Sequence, residues 1–322
     1  MIVEDEHGDY FCNRLKKKRR LLVPWAKKHG LDAFRLYDRD LPEVPLAVDI
    51  YGDYLMVYDF RKDKRDRKWL GRMKEKILQV TGVPARHCFI HERHSRAGGQ
   101  YGKLENPPHE MIVREQGARF LVKLGVYADT GLFSDHRLTR QWVRMRAAGK
   151  DVLNLYAYTG TFSVYAALGG AALTLSVDLS RPYCLWAKRN LELNGIAGEE
   201  HKVENSDVFS FLDKSPGCSW DMIIIDPPTF STSKKMNYVF DIKKDHSLLI
   251  RKAFPLLREE GMILFSTNAR KFKMDPMLFD EAHVEEITEQ TIPSDFQQHR
   301  PHRCWVIKKG IKTSVKQKTQ EG

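Results

Sequence analysis

Asp178, Asp207 and Asp226, together with the segment Asn154-Leu-Tyr-Ala-Tyr-Thr-Gly160, are the residues of this chain whose types and order could do chemistry. The segment follows on from an apolar stretch, Val152 to Leu155, and turns through Thr159-Gly160-Thr161 into the helical pattern Phe162 to Leu168. Such a small-residue turn lets a ligand approach backbone amides at a helix N-terminus. Asp178 closes the β-branched and apolar stretch Leu173 to Val177. A carboxylate at the tip of a second strand can accept from both hydroxyls of a ribose at once. Asp207 follows a third stretch ending near Val203, where an adenine would sit, and Asp226 ends the almost wholly apolar run Asp221 to Ile225. The turn has one Gly where the Gly-x-Gly-x-x-Gly motif of a pyrophosphate site has three, so a dinucleotide fits poorly. Singly, an acid after a strand is more often a helix cap or turn former. The order and spacing of all four point instead to an S-adenosylmethionine pocket joined to a methyl-acceptor pocket at Asp226-Pro-Pro-Thr-Phe230.

Groups placed this way need strands that alternate with helices and end at one edge of a sheet. From about residue 126 the pattern alternates so, which predicts an α/β, Rossmann-like doubly wound parallel sheet. The first 125 residues read differently. A basic amphipathic helix over Leu15 to Lys28 ends at His29-Gly30, and two period-two runs, Leu46 to Ile50 and Tyr54 to Tyr58, flank Tyr51-Gly-Asp53 as a hairpin. A helix over Trp69 to Thr81 and strands at Cys88 to Glu92, Met111 to Glu115 and Ala118 to Leu124 complete a small α+β unit, with a basic glycine-rich loop at Arg93 to Gly102. The expected organisation is an N-terminal α+β RNA-binding domain over 1-125, a methyltransferase domain over 126-309, and a disordered basic tail over 310-322.

A polyanionic partner follows from the charge. The net charge of +11 comes from 53 basic residues against 42 acidic ones, concentrated in runs such as Lys16 to Arg20, Arg61 to Lys68, Arg86 to Lys103 and Lys234-Lys235. Any one run alone is usually a solvated face; several, interleaved with His87, Phe89, His91, His94 and Tyr101, favour RNA, whose unpaired bases stack on aromatics. Cys12, Cys88, Cys184, Cys218 and Cys304 are odd in number and lack metal-binding spacing, so reduced thiols, no metal and a cytoplasmic location are expected. No apolar run reaches the length of a membrane span, and the first thirty or so residues are too charged for a signal peptide.

Several segments together resemble a known family. Arg35-Leu-Tyr-Asp-Arg-Asp-Leu-Pro42, Asp129-Thr-Gly-Leu-Phe-Ser-Asp-His-Arg137, Asn154 to Gly160, Asp226 to Ser231, Asp295-Phe296 and Cys304-Trp305 are similar to the RlmK family of bacterial 23S rRNA guanine-N7 methyltransferases, class I S-adenosylmethionine-dependent enzymes that often form the C-terminal half of a fused RlmKL protein. The similarity covers about residues 10 to 309, so the chain resembles a free-standing form of that half. It implies that Asn154, Tyr156, Tyr158, Thr159 and Gly160 surround the methionine and ribose portions of the cofactor and that Asp178 takes the ribose hydroxyls. Asp207 would meet the adenine edge, Asp135 and Arg137 would close the amino-acid end, and Asp226, Pro227, Pro228 and Phe230 would form the acceptor pocket. Implied partners are 23S rRNA or a large-subunit assembly intermediate, and a separate guanine-N2 methyltransferase in place of the fused half.

Methyl transfer from a sulfonium is an in-line displacement governed by alignment of a nucleophile about 3 to 3.5 Å from the methyl carbon. Guanine N7 offers a lone pair and no proton, so no general base is required, and Asp226 could orient the base through its N1 or N2 protons while Phe230 or Tyr238 stacks on it. Cytosine-C5 methylation needs a thiolate, and the position after the fifth strand where relatives carry one is Ser266-Thr-Asn268 here; Cys218 and Cys304 read as small core residues. Guanine-N2 methylation usually goes with an aromatic at the fourth position of the Pro-Pro tetrad, which is Thr229 here. A non-catalytic RNA-binding assembly factor is the reading from another class, and retention of acids at 178 and 226 argues against it.

Overall fold

The computed structural model describes residues 3–63, 66–92, 109–126, 129–196, 198–215, 217, 219–232 and 238–309. The loop at Arg93 to Gly102, Lys234-Lys235, Cys218 and the tail over 310-322 lie outside the described residues. Helix α1 (Val3–Lys28) begins well before Leu15, because Phe11 and Cys12 continue the buried stripe of Leu15 at helical spacing. Strands β1 (Ala33–Asp38), β2 (Leu46–Tyr51) and β3 (Tyr54–Asp59) pair antiparallel, and β4 (Cys88–Glu92) joins β3 in parallel after α2 (Arg67–Thr81). Asp66 caps α2 by accepting from Trp69 N at 2.8 Å. The apolar faces of α1 and α2 close over this sheet around Phe11, Leu36, Leu55 and Ile77.

The hairpin of β5 (His109–Glu115) and β6 (Ala118–Leu124) follows. Val113, Phe120 and Val122 share one core with Ala33, Tyr51 and Met56 from the first sheet and with Val164, Tyr165 and Leu191 from the helices beyond. Residues on either side of position 125 are thus packed together.

The remaining elements are α3 (Arg137–Arg144), β7 (Asp151–Leu155), α4 (Thr161–Leu168), β8 (Leu173–Asp178), α5 (Arg181–Leu193), β9 (His201–Asn205), α6 (Val208–Lys214), β10 (Trp220–Ile225), β11 (Phe230–Ser231), β12 (Phe240–Asp241), α7 (Ile242–Ala253), β13 (Leu257–Thr267), α8 (Met277–Glu281), β14 (Ala282–Glu286), α9 (Thr288–Thr291) and β15 (Arg303–Lys309). Seven of them form one sheet in the order β14-β15-β13-β10-β7-β8-β9, parallel from β13 to β9 and antiparallel at β15. This is the α/β, Rossmann-like sheet the alternation predicts. Along β10, Ile223 and Ile225 enter a core with α6 and α7, while Met222 and Ile224 enter the opposite core with Trp142 and Phe162. Helices on both faces explain why that strand is apolar throughout. The chain runs outward from β7 through β9 and then returns to β10 on the other side of β7, so the strand order reverses between β7 and β10. Their carboxyl ends open the crevice where ligands of such sheets bind.

Among the described residues, no helix is long and apolar enough to cross a membrane. Cys12, Cys88, Cys184 and Cys304 are buried free thiols.

Candidate active site

At that crevice lies a cavity of about 600 Å³ lined by Asp135, Tyr156, Tyr158, Asp178, Asp207, Asp226, Pro227 and Pro228, with Asp129, His136, Tyr183, Thr229, Phe240 and Asn268 among the other walls. Asp178 ends β8 with Oδ2 accepting from Tyr158 N at 2.9 Å and Oδ1 from Ser180 N at 2.8 Å. These bonds aim the carboxylate and tie the β7 turn to the tip of β8. Burial raises the Asp178 pKa above its ordinary value, and the two backbone donors only partly oppose it. Asp207 caps α6 by accepting from Ser210 N at 2.9 Å, and its other oxygen accepts from Tyr238 Oη at 2.7 Å. Asp226 stands past the end of β10, with Oδ1 accepting from Ser266 Oγ at 2.6 Å.

Tyr156 and Tyr158 hold φ of 56° and 51°, a left-handed backbone unusual for aromatic residues and the kind of strain that accumulates at functional sites. Their hydroxyls are buried with no hydrogen-bond partner. The aimed carboxylate of Asp178, with Asp207 and Asp226 on the same walls, fits a ligand that carries both hydroxyl and charged groups. S-adenosylmethionine fits this donor and acceptor set, with Asp178 for ribose hydroxyls.

Four residues assigned to the cofactor by resemblance do not line the cavity. Asn154 is buried within the sheet, where Nδ2 donates to Ser163 Oγ at 3.0 Å and joins β7 to α4. Thr159 is buried and donates to Gly131 O at 2.6 Å. Gly160 has a φ of 72°, and a Cβ there would meet Ala187 Cβ at 2.8 Å, so the packing of α4 against α5 demands the glycine. Arg137 is buried between Asp295 and Glu115 and never reaches the cavity; Arg140, one helical turn on, lines it instead. Phe230, expected in the acceptor pocket, is also displaced. Ser231 and its ladder partner Phe240 line the cavity, which turns Phe230 to the outer face, where it is exposed. Tyr238 is turned to Asp207 and Phe209.

Residues missed in the sequence include His136, Tyr183, Phe240 and Asn268. Tyr183 sits on α5 with its ring edge-on to Tyr158 at 4.5 Å. Asn268 follows β13, and its Oδ1 accepts from Thr229 Oγ1 at 2.6 Å; its place just past a strand end was the available signal. Asp135, His136 and His302 bring one ligand-type atom each within 4.8 Å of one another. His136 Nε2 and both nitrogens of His302 already face Asp226, Asp135 and Thr291, so no metal is assigned. Asp135 is held well below the usual carboxylate range, against the penalty of burial, by the neighbouring His302 and His136 rings.

Asp178→Asn is expected to weaken S-adenosylmethionine binding about 10- to 100-fold at neutral pH, since it removes a charge-assisted acceptor. The carboxyl must be ionised to accept both hydroxyls, so affinity in the unmodified protein should fall as pH drops through the raised Asp178 pKa. Calorimetric titration of cofactor against pH checks this, and the Asn variant should lack that acid limb.

Over residues 39–295 the chain matches the family described as S-adenosylmethionine-dependent methyltransferase. It is 44% identical over 306 residues to ribosomal RNA large subunit methyltransferase K of Neisseria meningitidis serogroup B, covering 92% of this chain and 86% of that protein. It is 41% identical over 307 residues to ribosomal RNA large subunit methyltransferase K/L of Aliivibrio salmonicida, covering 92% of this chain but 43% of that longer protein. Among solved structures, a methyltransferase complexed with SAH is similar with a TM-score of 0.76 and 27% identity, over 94% of this chain and 81% of that one.

Proposed function

The chain belongs to the S-adenosylmethionine-dependent methyltransferases and takes S-adenosylmethionine as its cofactor, and from that footing we propose that it methylates guanine N7 in the 23S RNA of the large ribosomal subunit. The observation that carries this reading is a second cavity that shares walls with the first. Its volume is about 810 Å³, and Asp129, Phe133, Asp135, Thr229 and Asn268 belong to both. Arg35, Arg39, Arg270 and Arg300 line it beside Tyr58, Phe60 and Phe296. The Arg35 and Arg39 guanidiniums each lie 4.5 Å from the ring centroids of Phe296 and Phe60.

Guanidiniums and aromatic rings are the groups that hold phosphates and unstacked bases. Helix α1 adds basic surface, with Lys16, Lys17, Arg19 and Arg20 exposed. The polar cleft would grip the strand around the target while the extruded base reaches the Asp226 corner. Extrusion costs a few kcal/mol, which phosphate contacts can offset.

At that corner Asp226 accepts from the N1 or N2 protons of guanine and leaves N7 directed at the cofactor. When bound, S-adenosylmethionine supplies an electrophilic methyl group on a sulfonium. N7 has no proton to lose, so alignment alone suffices. Among the described residues, no cysteine lines the cavity to serve as the thiol required for cytosine C5. Cys304 pairs with Ser266 across the sheet, is fully buried, and has its pKa pushed well above the ordinary thiol value by burial and then by Asp226.

Methyl transfer from labelled S-adenosylmethionine to protein-free 23S RNA, followed by borohydride and aniline cleavage, tests the proposal. Label with a single cut supports N7. Label without a cut overturns the atom, and no label on RNA or on large-subunit precursors overturns the substrate.

A further inference from the structure

Asp226 is braced from two sides. Ser266 holds Oδ1, and Oδ2 faces His136 Nε2 at 3.6 Å. His136 belongs to the turn that leads into α3, is buried, and lines the cavity. Its ring stands edge-on to Phe162 at 5.7 Å and lies face to face with His302, with centroids 4.1 Å apart and planes 15° from parallel. His302, also buried, meets Thr291 Oγ1 with Nε2 at 3.1 Å, and its Nδ1 is 3.5 Å from Asp135 Oδ2. The result is an array of carboxylate, imidazole, imidazole and carboxylate running from the acceptor corner to Asp135, one of two acids on the walls of both cavities. The charged or titratable groups around His136 are Asp226 from the end of β10, Asp135 from its own turn, His302 from the approach to β15, and Arg140 from α3. Its Nδ1 has no partner.

Resting on the methyl-transfer reading above, we propose that His136 is a positioning residue that also sets the charge of the acceptor pocket. As a neutral imidazole it keeps Nε2 beside Asp226 Oδ2, at 3.6 Å, without adding charge to the pocket. As an imidazolium it opposes the reaction. In the transfer the S–CH3 bond breaks as the N7–CH3 bond forms, the sulfonium becomes a neutral thioether, the base becomes a cation, and no proton leaves. One positive charge therefore stays in the cavity throughout, and a second one beside Asp226 weakens both the sulfonium-bearing complex and the cationic product. Burial favours the neutral ring, with Asp226 opposing it and His302 adding to the shift, so the pKa lies below the ordinary histidine value. Turnover is then full above that lowered pKa and falls as pH drops through it.

The affinity ratio of S-adenosylmethionine to S-adenosylhomocysteine, measured from about pH 5 to about pH 8, reads the effect without any RNA. The two ligands differ by a charge at sulfur and a methyl group. The ratio should fall about tenfold on acidification and stay flat in His136→Gln, which keeps a donor but cannot protonate. Turnover on RNA should show an acid limb that His136→Gln lacks. His136→Phe should lower kcat at every pH with homocysteine-product affinity kept, whereas a merely structural role would lower stability and leave the pH profile unchanged. Should His136→Gln fail to fold, His302→Gln, which removes the stacked ring from behind the cavity wall, must shift the midpoint of the ratio. A pH-independent ratio in the unmodified protein, or an acid limb that survives His136→Gln, overturns the proposal. Absence of RNA methylation alongside a pH-dependent ratio overturns the substrate reading and leaves the array standing.

Discussion

Asp226→Ala is expected to lower turnover about a hundredfold or more and to lower S-adenosylmethionine affinity by about tenfold at most, with S-adenosylhomocysteine affinity kept. The carboxylate stands at the carboxyl end of β10, where Ser266 Oγ donates to Oδ1 at 2.6 Å and His136 Nε2 lies 3.6 Å from Oδ2. Its proposed task is to accept from the base edge and direct a ring nitrogen along the line of displacement. Positioning terms of this kind are worth two or more orders of magnitude, because a misplacement of about 1 Å forfeits alignment. The carboxylate also faces the positive charge that moves from sulfur to the base, a contribution lost equally in Asp226→Asn. The Asn variant keeps the shape and should therefore fall between the wild type and Ala. Single-turnover kinetics with cofactor binding measured separately would check this. A loss in kcat under about threefold would remove Asp226 from the acceptor pocket.

Glu115→Ala should destabilise the fold by about 3–5 kcal/mol, the usual consequence of leaving buried charges without their partner. Glu115 is fully buried. Its carboxylate accepts from Arg140 through Nε and Nη2 at 2.7 to 2.9 Å and from Tyr165 Oη at 3.0 Å, and it lies 3.6 Å from Arg137 Nε. Arg137 is bound on its far side by Asp295, which also accepts from Arg35 N on β1 at 3.0 Å. Two guanidiniums would thus be left with one carboxylate in a site that excludes water. The same network reaches the cavity wall, since Arg140 Nη1 donates to Phe133 O at 2.9 Å. Cofactor affinity should fall along with stability. Urea unfolding with and without S-adenosylmethionine measures both, and a loss below about 1 kcal/mol would mean the pairs are solvated or replaceable.

Much of the sheet was legible in advance because its signals are local. Asp226 follows the uninterrupted apolar run Met222 to Ile225 and Asp178 the stretch Leu173 to Val177, rich in β-branched and apolar residues, and the end of such a stretch is visible without any knowledge of its neighbours. The hairpin of β2 and β3 was legible for the same reason, since its turn, Tyr51-Gly-Asp53, sits between two period-two runs. The start of α1 was less legible, because the basic cluster at Lys16 to Arg20 dominates the local pattern while the apolar spacing of Phe11, Cys12 and Leu15 extends the helix back to Val3.

The site itself divides along the same line. Sequence alone pointed to a nucleoside-type cofactor and put Asp178, Asp207 and Asp226 at one edge of the sheet, where they line one cavity, because chain order and strand tips fix which acids share an edge. Only the tertiary structure decided which neighbouring residues face that edge. Asn154 and Arg137 were drawn inward because a buried amide and a buried guanidinium must find partners, and Ser163 and Asp295 supply them. Phe230 was turned outward by its pairing with Asp241 across a two-residue ladder. His136 gained its place from stacking on His302, a contact between segments far apart in the chain. Such partners are chosen by packing and by the need to satisfy buried polar groups, which no stretch of sequence expresses by itself.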